Sequence, residues 1–415
     1  MEILPINALV YNQEKVDIQE VIAPPYDVIN EEYQNELYER SPYNITRLIL
    51  PKGDKCYEEA KNTFEQWQKD DILIHTKKPS IFYIIQRYTN EKGKLIERKG
   101  FIARNRIEDF STKKVLPHEY TMGGPKQDRL NLVSATDAFF SQIFMVYNDE
   151  KRTIEKRFKK KYSHKKPAIQ VVDDNGVENI VYIIDDKKDI EIIAKTLEDK
   201  TLLIADGHHR YETAMNYSKL NPNNEDAKYV MSYFTNASDE NLIIYPTHRI
   251  ITKSISPHHI LERVKEYYNI EILTDKEEFL AKIEEENKKQ ITTGLILKGD
   301  DNYYVLKLKF GKEIAVGIPK PLRILDLAVL HELVLKKGLG YTQEELMAQF
   351  GIKYEKQEKL AFDSVKDNAS ACFIMAYPKM QDIIDISNQD CRMPQKSTYF
   401  YPKLLSGIVI NPLKQ

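Results

Sequence analysis

The stretch TLLIADGHHRYETA, Thr201 to Ala214, breaks a short apolar run with an acid, a glycine, two histidines and an arginine. Leu202, Leu203 and Ile204 read as a buried strand, while Tyr211, Ala214, Met215 and Ser218 recur at the spacing of a helix face. This pattern predicts a strand handing over to a helix at Gly207. A glycine there permits a sharp turn and lets a ligand approach the first N–H groups of the helix, which carry the positive end of its dipole. Such an end binds anions. Gly207, His208, His209 and Arg210 are therefore candidate phosphate-binding residues, and Asp206 offers a carboxylate suited to a base or to a metal-bound water. A capping turn is the plain alternative, but this run of polar residues and glycine exceeds what capping requires.

The chain has 61 Lys plus Arg against 63 Asp plus Glu, a balance that gives no global charge to attract nucleic acid or an anionic membrane. The expected partner is a small molecule. Cys56, Cys372 and Cys391 lie far apart without a C-x-x-C pair, which argues against a disulfide framework and a thiolate zinc site and fits a reducing compartment. The N-terminus has no basic region followed by an apolar core, and no segment has the length to span a bilayer, so a cytoplasmic location is expected. At 415 residues the chain has room for two or three domains.

Patterning along the chain predicts a helix after VIAPPYDVIN, a strand at NITRLILP, a helix around Tyr57 to Lys69, and a hairpin from Ile81–Tyr88 and Gly100–Arg106. The basic run Lys151 to Lys166 places Ile154, Phe158 and Tyr162 four apart, which predicts a helix with a wet lysine face rather than a nucleic-acid patch. Tyr229 to Phe234 and Leu242 to Ile251 read as strands. Ser256-Pro257 opens a helix, Leu295–Leu297 and Tyr303–Phe310 read as strands, and Arg323 to Lys337 is apolar at helical spacing. A mixed α/β domain over residues 1–253 and an α+β domain over 254–415 are expected, with the polar tail 393–410 returning to the site.

Two further clusters fit either chemistry or a structural turn. HEYTMGGPKQDRL, His118 to Leu130, sets Glu119 and its neighbours beside a double glycine, expected as a turned loop with Lys126 and Arg129 as phosphate contacts. APPYDV, Ala23 to Val28, reads as a rigid loop presenting Tyr26 and Asp27, with an N-terminal packing loop the plainer reading. Familiar signatures fail: there is no G-x-x-x-x-G-K-[ST] run, His331-Glu332 has Leu335 where a zinc protease needs histidine, Gly338-x-Gly340 follows a helix, and no G-x-S-x-G elbow occurs.

APPYDV, HEYTMGGPKQDRL, ADGHHRYETA and MPQKSTYFYPKLLSG, taken together and in this order, resemble the domain of unknown function 1015 family. The D-G-H-H-R run in turn resembles the turn of the ParB, sulfiredoxin and free-serine-kinase superfamily, implying a ParB/sulfiredoxin-like mixed-sheet core. On that resemblance Gly207, His208, His209 and Arg210 grip nucleotide phosphates, with Asp206, Glu119 and His208 the catalytic candidates. His208 stands where sulfiredoxin keeps its cysteine, which excludes sulfinic-acid repair. No counterpart of the DNA-binding domain of ParB is found in the C-terminal half.

The implied activity is phosphoryl transfer between ATP or ADP and a small hydroxylated metabolite, with serine or phosphoserine the narrowest choice and Mg²⁺ offsetting charge. Lys126, Arg129 and Lys396 would close the site electrostatically, and Tyr26, Asp27, His118, Ser397 and Thr398 would contact substrate. A phosphoserine phosphatase and a non-catalytic nucleotide switch are the alternatives.

Overall fold

The structure is a computed structural model and describes residues 1–91, 93–120, 123–162, 164–309, 311, 315–394 and 396–413. Leu202 to Ala205 are all buried along the strand Leu202–Asp206, so it needs cover on both faces and lies inside a sheet. That sheet runs Val115–Pro117, Leu202–Asp206, Ile143–Tyr147, Tyr229–Asn236, Leu95–Arg106, Ile81–Thr89, Glu178–Ile184, Ile169–Val172, with Ile3–Leu4 also against Leu95–Arg106. Val115–Pro117 is parallel to Leu202–Asp206 and Ile143–Tyr147 to Tyr229–Asn236, and the other pairs are antiparallel. The sheet is mixed, and the class is α/β.

The expected hairpin is present, with both strands longer than the alternation indicated. The helix Thr153–Tyr162 buries Ile154, Phe158 and Tyr162 and leaves Lys156, Lys159 and Lys160 exposed. It is tied to the helix Lys187–Leu197 by the buried Asp189, which accepts from Arg157 Nε (2.7 Å), Lys161 Nζ (2.6 Å) and the Tyr162 hydroxyl (3.0 Å).

Other segments depart from the sequence pattern for local reasons. NITRLILP forms the short helix Thr46–Ile49 instead of a strand. The buried Asn44 turns the chain: its Oδ1 accepts from the Thr46 N–H (3.0 Å), and its Nδ2 donates to the carbonyls of Glu20 (2.8 Å) and Ile22 (3.1 Å). Leu242 to Ile251 divides into Ile243–Tyr245 and His248–Ile251, because Pro246 between them has no N–H to continue a ladder. The turned loop expected at Gly123-Gly124-Pro125 is the start of the helix Gly123–Thr136, whose first turn tolerates a proline, and Thr121 and Met122 lie outside the described residues.

The chain forms two compact units, one of Met1–Pro117, Thr121–Ile243 and Pro402–Gln415, the other of His118–Tyr120 and Ile244–Tyr401. The second unit has an antiparallel sheet ordered Tyr268–Leu273, Tyr303–Leu308, Thr292–Leu297, Ala371–Ile374, His248–Ile251, Ile352–Glu355. Alternate residues face opposite ways: Ile251, Leu295 and Leu306 join one apolar core with the helices Pro257–Tyr267 and Asp326–Leu330, while Ile250, Ile296 and Val305 join another with Lys276–Glu286 and Glu358–Asp367. The helical run predicted over Arg323 to Lys337 is α-helical over Asp326–Leu330 and opens into wider turns over His331–Gly338. No helix of the described residues is long and apolar enough to cross a membrane.

Close packing of helix on sheet in the second unit depends on Gly294. A Cβ there would lie 2.4 Å from Cζ of Phe279 and 2.5 Å from Cδ1 of Ile283. Gly294→Ala should therefore weaken the unit by about 1 to 3 kcal/mol through overpacking, read as lost hydrogen-exchange protection of the Thr292–Leu297 amides. Unchanged protection would show that the helix Lys276–Glu286 is not seated on this strand.

Candidate functional site

The strand Leu202–Asp206 ends at Gly207, whose φ of 89° and ψ of 30° place it in the left-handed region, and the helix His208–Leu220 begins at once. The Tyr211 N–H donates to the Gly207 carbonyl at 2.9 Å, closing the first helical turn. Only glycine suits this position on two counts. Its φ disfavours a side chain, and a Cβ would lie 3.0 Å from Cζ, Nε and Nη2 of Arg210, whose guanidinium folds back over the turn.

Arg210 is held there by two contacts: Nη2 donates to Oδ2 of Asp206 at 2.8 Å, and Nη1 to the Gln142 carbonyl. The other carboxylate oxygen, Oδ1, accepts from Lys403 Nζ at 3.0 Å. Burial alone would raise the Asp206 carboxyl, but Lys403 and Arg210 overcome it and hold the group well below the ordinary carboxylate range. Asp206 is thus a fixed anion between two cations at the positive end of a helix.

Lys403 was not singled out from the sequence, although it lies in the quoted run MPQKSTYFYPKLLSG. The fold brings it in through its backbone. The fully buried Arg98 donates Nη2 to the Pro402 carbonyl (2.6 Å), Gln86 Nε2 donates to the Lys403 carbonyl (3.3 Å), and Gln142 Nε2 donates to the Leu405 carbonyl (3.0 Å). Further on, Asn411–Pro412 pairs with Ala138–Phe139. Pattern alone does not distinguish it from Lys396 in the same run.

Around the turn, His208 is buried and His209 half-buried. Burial lowers the His209 pKa below its ordinary 6.5, reinforced by Lys126 and Arg210 and opposed by Glu212 and Asp27, so the ring is neutral near pH 7. Lys126 on the helix Gly123–Thr136 pairs with Glu212 at 2.7 Å. Arg129, on the same helix, donates Nε to Asp128 at 2.8 Å and Nη1 to the Ile49 carbonyl, and its guanidinium carbon stands 4.1 Å from the centre of the Tyr26 ring. Burial raises the Tyr26 pKa against the pull of Arg210 and Arg129, and Asp27 is exposed. Tyr26, Arg129 and Arg210 border a small cleft.

The remaining expected residues gather in the second unit. The fully buried His118 places Nε2 2.9 Å from the Thr398 hydroxyl and 3.6 Å from Oε1 of Glu119, and that oxygen accepts from the Ser397 N–H at 3.2 Å and faces the Thr398 hydroxyl at 3.4 Å. The Met393 N–H donates to the His118 carbonyl at 2.7 Å. Lys396 is exposed, with φ of 53°, and its carbonyl accepts from the buried Arg249 at 3.1 Å. So Asp206, Gly207, His208, His209, Arg210, Lys126, Arg129, Tyr26 and Asp27 belong to the first unit, and His118, Glu119, Lys396, Ser397 and Thr398 to the second. Among the described residues no three His, Cys, Asp or Glu side chains form a group that could hold a metal ion.

A family model described as "Protein of unknown function (DUF1015)" matches residues 3–328. No curated protein matches the chain. Among solved structures, a mutant free serine kinase in complex with ADP is similar at 14% identity and a TM-score of 0.37, over 73% of this chain and 90% of that one. A conserved hypothetical protein from Pyrococcus furiosus is similar at 17% identity and a TM-score of 0.35, over 73% and 93%. SbnI from Staphylococcus aureus, truncated at its C-terminus, is similar at 11% identity and a TM-score of 0.36, over 76% and 89%.

Gly207→Ala tests the geometry of the turn. The left-handed backbone should cost about 1 to 2 kcal/mol, and the new methyl should push the Arg210 guanidinium off the glycine. In thermal melts the variant is expected to lose whatever stabilisation inorganic phosphate gives the unmodified chain. Equal stabilisation of both would show that phosphate does not bind at this turn.

Proposed function

With the chain thereby a member of the DUF1015 family, we propose that it catalyses phosphoryl transfer between ATP or ADP and a small hydroxylated metabolite. Serine or phosphoserine is the narrowest choice that the D-G-H-H-R resemblance supplies. The observation that carries the reading is the convergence of Arg210 and Lys403 on Asp206 at the first turn of the helix His208–Leu220. A phosphate brought to that turn meets backbone N–H groups and two cations already held in place, so binding and charge development need little rearrangement.

In this proposal the N–H groups after Gly207, with Arg210 and Lys403, hold the transferring phosphoryl oxygens. Asp206 positions both cations. Its depressed pKa makes it a weak proton acceptor, and the neutral His209 in the same unit takes the proton from the substrate hydroxyl. The oxygen–phosphorus bond forms to that hydroxyl as the bond to the nucleotide breaks. Glu119→Gln tests the other expected acceptor. Lys126, paired with Glu212, and Arg129, paired with Asp128, are the further cations that close the site electrostatically in this proposal.

The expected Mg²⁺ meets a poor donor set at the turn, because each Asp206 oxygen already faces a cation. The proposal routes no step through it. The same double pairing of Asp206 favours one second reading, a nucleotide switch in which the turn binds phosphate without passing it on. A cytoplasmic small-molecule enzyme that binds neither nucleic acid nor membrane fits the near-neutral charge balance.

³¹P spectra of the chain with serine and each of ATP and ADP, and with phosphoserine with and without ADP, separate transfer, hydrolysis and mere binding. Arg210→Ala should weaken nucleotide binding by about 1.5 to 3 kcal/mol. Asp206→Asn should leave affinity within a few fold, because a competing anion is lost, while turnover falls on the order of a hundredfold as the cations lose alignment. Nucleotide binding abolished by Arg210→Ala with no turnover under any condition would favour the switch.

The pH profile follows from His209. A base must be neutral to accept a proton, and its folded pKa lies below 6.5, so kcat/KM should fall only as pH drops below 6.5 and stay level above it. His209→Gln should lower the plateau and remove that limb. An unchanged limb in the variant would reassign the proton acceptor.

A further inference from the structure

The cleft beside the turn has walls unlike those a serine would need. Leu132, Val133, Phe140, Ile143 and Val230 line it and are each at most 5% exposed, so its floor is hydrocarbon. Apart from the Tyr26 hydroxyl, the side-chain polar groups on its border already have partners. The Ser141 hydroxyl bonds that of Ser406 (2.7 Å), the Thr213 hydroxyl donates to the Lys126 carbonyl (3.3 Å), and Arg129 is engaged by Asp128 and the Ile49 carbonyl. A nucleobase, with its ring nitrogens and exocyclic groups, or the ammonium and carboxylate of an amino acid, would lose more water there than the single Tyr26 hydroxyl can replace, and such losses oppose binding. A hydrocarbon group loses nothing of the kind.

Arg210 joins the two features, since it lines the cleft and folds over Gly207. A ligand with its phosphate on the turn can therefore extend its body into the cleft past one shared side chain. From this geometry we infer that the cleft receives the apolar body of the hydroxylated metabolite, so that the substrate class is a compact alcohol, or its phosphate monoester, with a branched aliphatic or phenyl body. The inference rests on the reading of the Gly207 turn as a phosphate site. The cleft is small and partly open to solvent, which suits a compact body and leaves no room for a long chain.

Calorimetric titration of the full chain with inorganic phosphate, O-phosphoserine, isobutyl phosphate and phenyl phosphate tests it. Isobutyl and phenyl phosphate should bind about tenfold more tightly than inorganic phosphate, the gain expected from burying a small hydrocarbon group, and O-phosphoserine no more tightly than inorganic phosphate. Val133→Phe should fill the cleft and bring the ratio of phenyl to inorganic phosphate affinity close to one. Should that variant fail to fold, Leu132→Ala, which enlarges the cleft, should shift preference from isobutyl toward phenyl phosphate. O-phosphoserine binding as tightly as phenyl phosphate, an advantage that survives Val133→Phe, or an unmoved preference in Leu132→Ala overturns the inference while the phosphate site stands. Failure of all four ligands to bind overturns the phosphate reading of the turn, and this inference with it.

Discussion

The Asp206 carboxylate sits between two cations, Arg210 at 2.8 Å and Lys403 at 3.0 Å, and the local architecture of the first unit answers to that arrangement. A partly buried ion cluster contributes little net stability, because desolvation offsets most of the attraction, whereas removing one member leaves uncompensated charge. Its value is geometric. Arg210 folds back to Asp206 closely over Gly207, where a Cβ would come within 3.0 Å of its guanidinium and the positive φ already disfavours a side chain. Lys403 can arrive only if the end of the chain is delivered to the sheet, and the buried Arg98 and Gln86 do this by binding the Pro402 and Lys403 carbonyls.

Position in the sheet explains why the turn is accessible at all. The strand Leu202–Asp206 is flanked by Val115–Pro117 and Ile143–Tyr147, and its register with the latter shifts between Ile204 and Asp206. That irregularity is a bulge at Ala205, which re-aims the strand while Asp206 still pairs with Phe144 just before the helix begins. The cleft opens beside it because the helices Gly123–Thr136 and His208–Leu220 pack together there, one carrying Arg129 and the other Arg210. In the second unit a different polar cluster is assembled around His118, Glu119 and Thr398, with the buried Arg249 donating to the Lys396 carbonyl.

Much of the first unit was legible because its signals are local. The change of period at Gly207 marked the strand and the helix, the four-residue spacing of Ile154, Phe158 and Tyr162 marked an amphipathic helix, and alternation marked the hairpin. What failed to show was decided at longer range or by a single side chain. NITRLILP has strand composition, but the Asn44 amide bonds two carbonyls more than twenty residues upstream and turns the chain into a helix. Leu242 to Ile251 reads as one apolar run until Pro246 is counted against the ladder. Lys403 could not be separated from Lys396 by pattern, since only the contacts of Arg98 and Gln86 tell which lysine meets Asp206.

The central claim is that the Gly207 turn is a phosphate site organised by Asp206. The most direct measurement is a titration of the chain with inorganic phosphate, following the backbone amide chemical shifts of Gly207, His208, His209 and Arg210. The account predicts saturable shifts concentrated on these amides, and their loss when Lys403 and Arg210 are both replaced by alanine. Shifts confined to other parts of the chain, or shifts at the turn that persist without both cations, would contradict it.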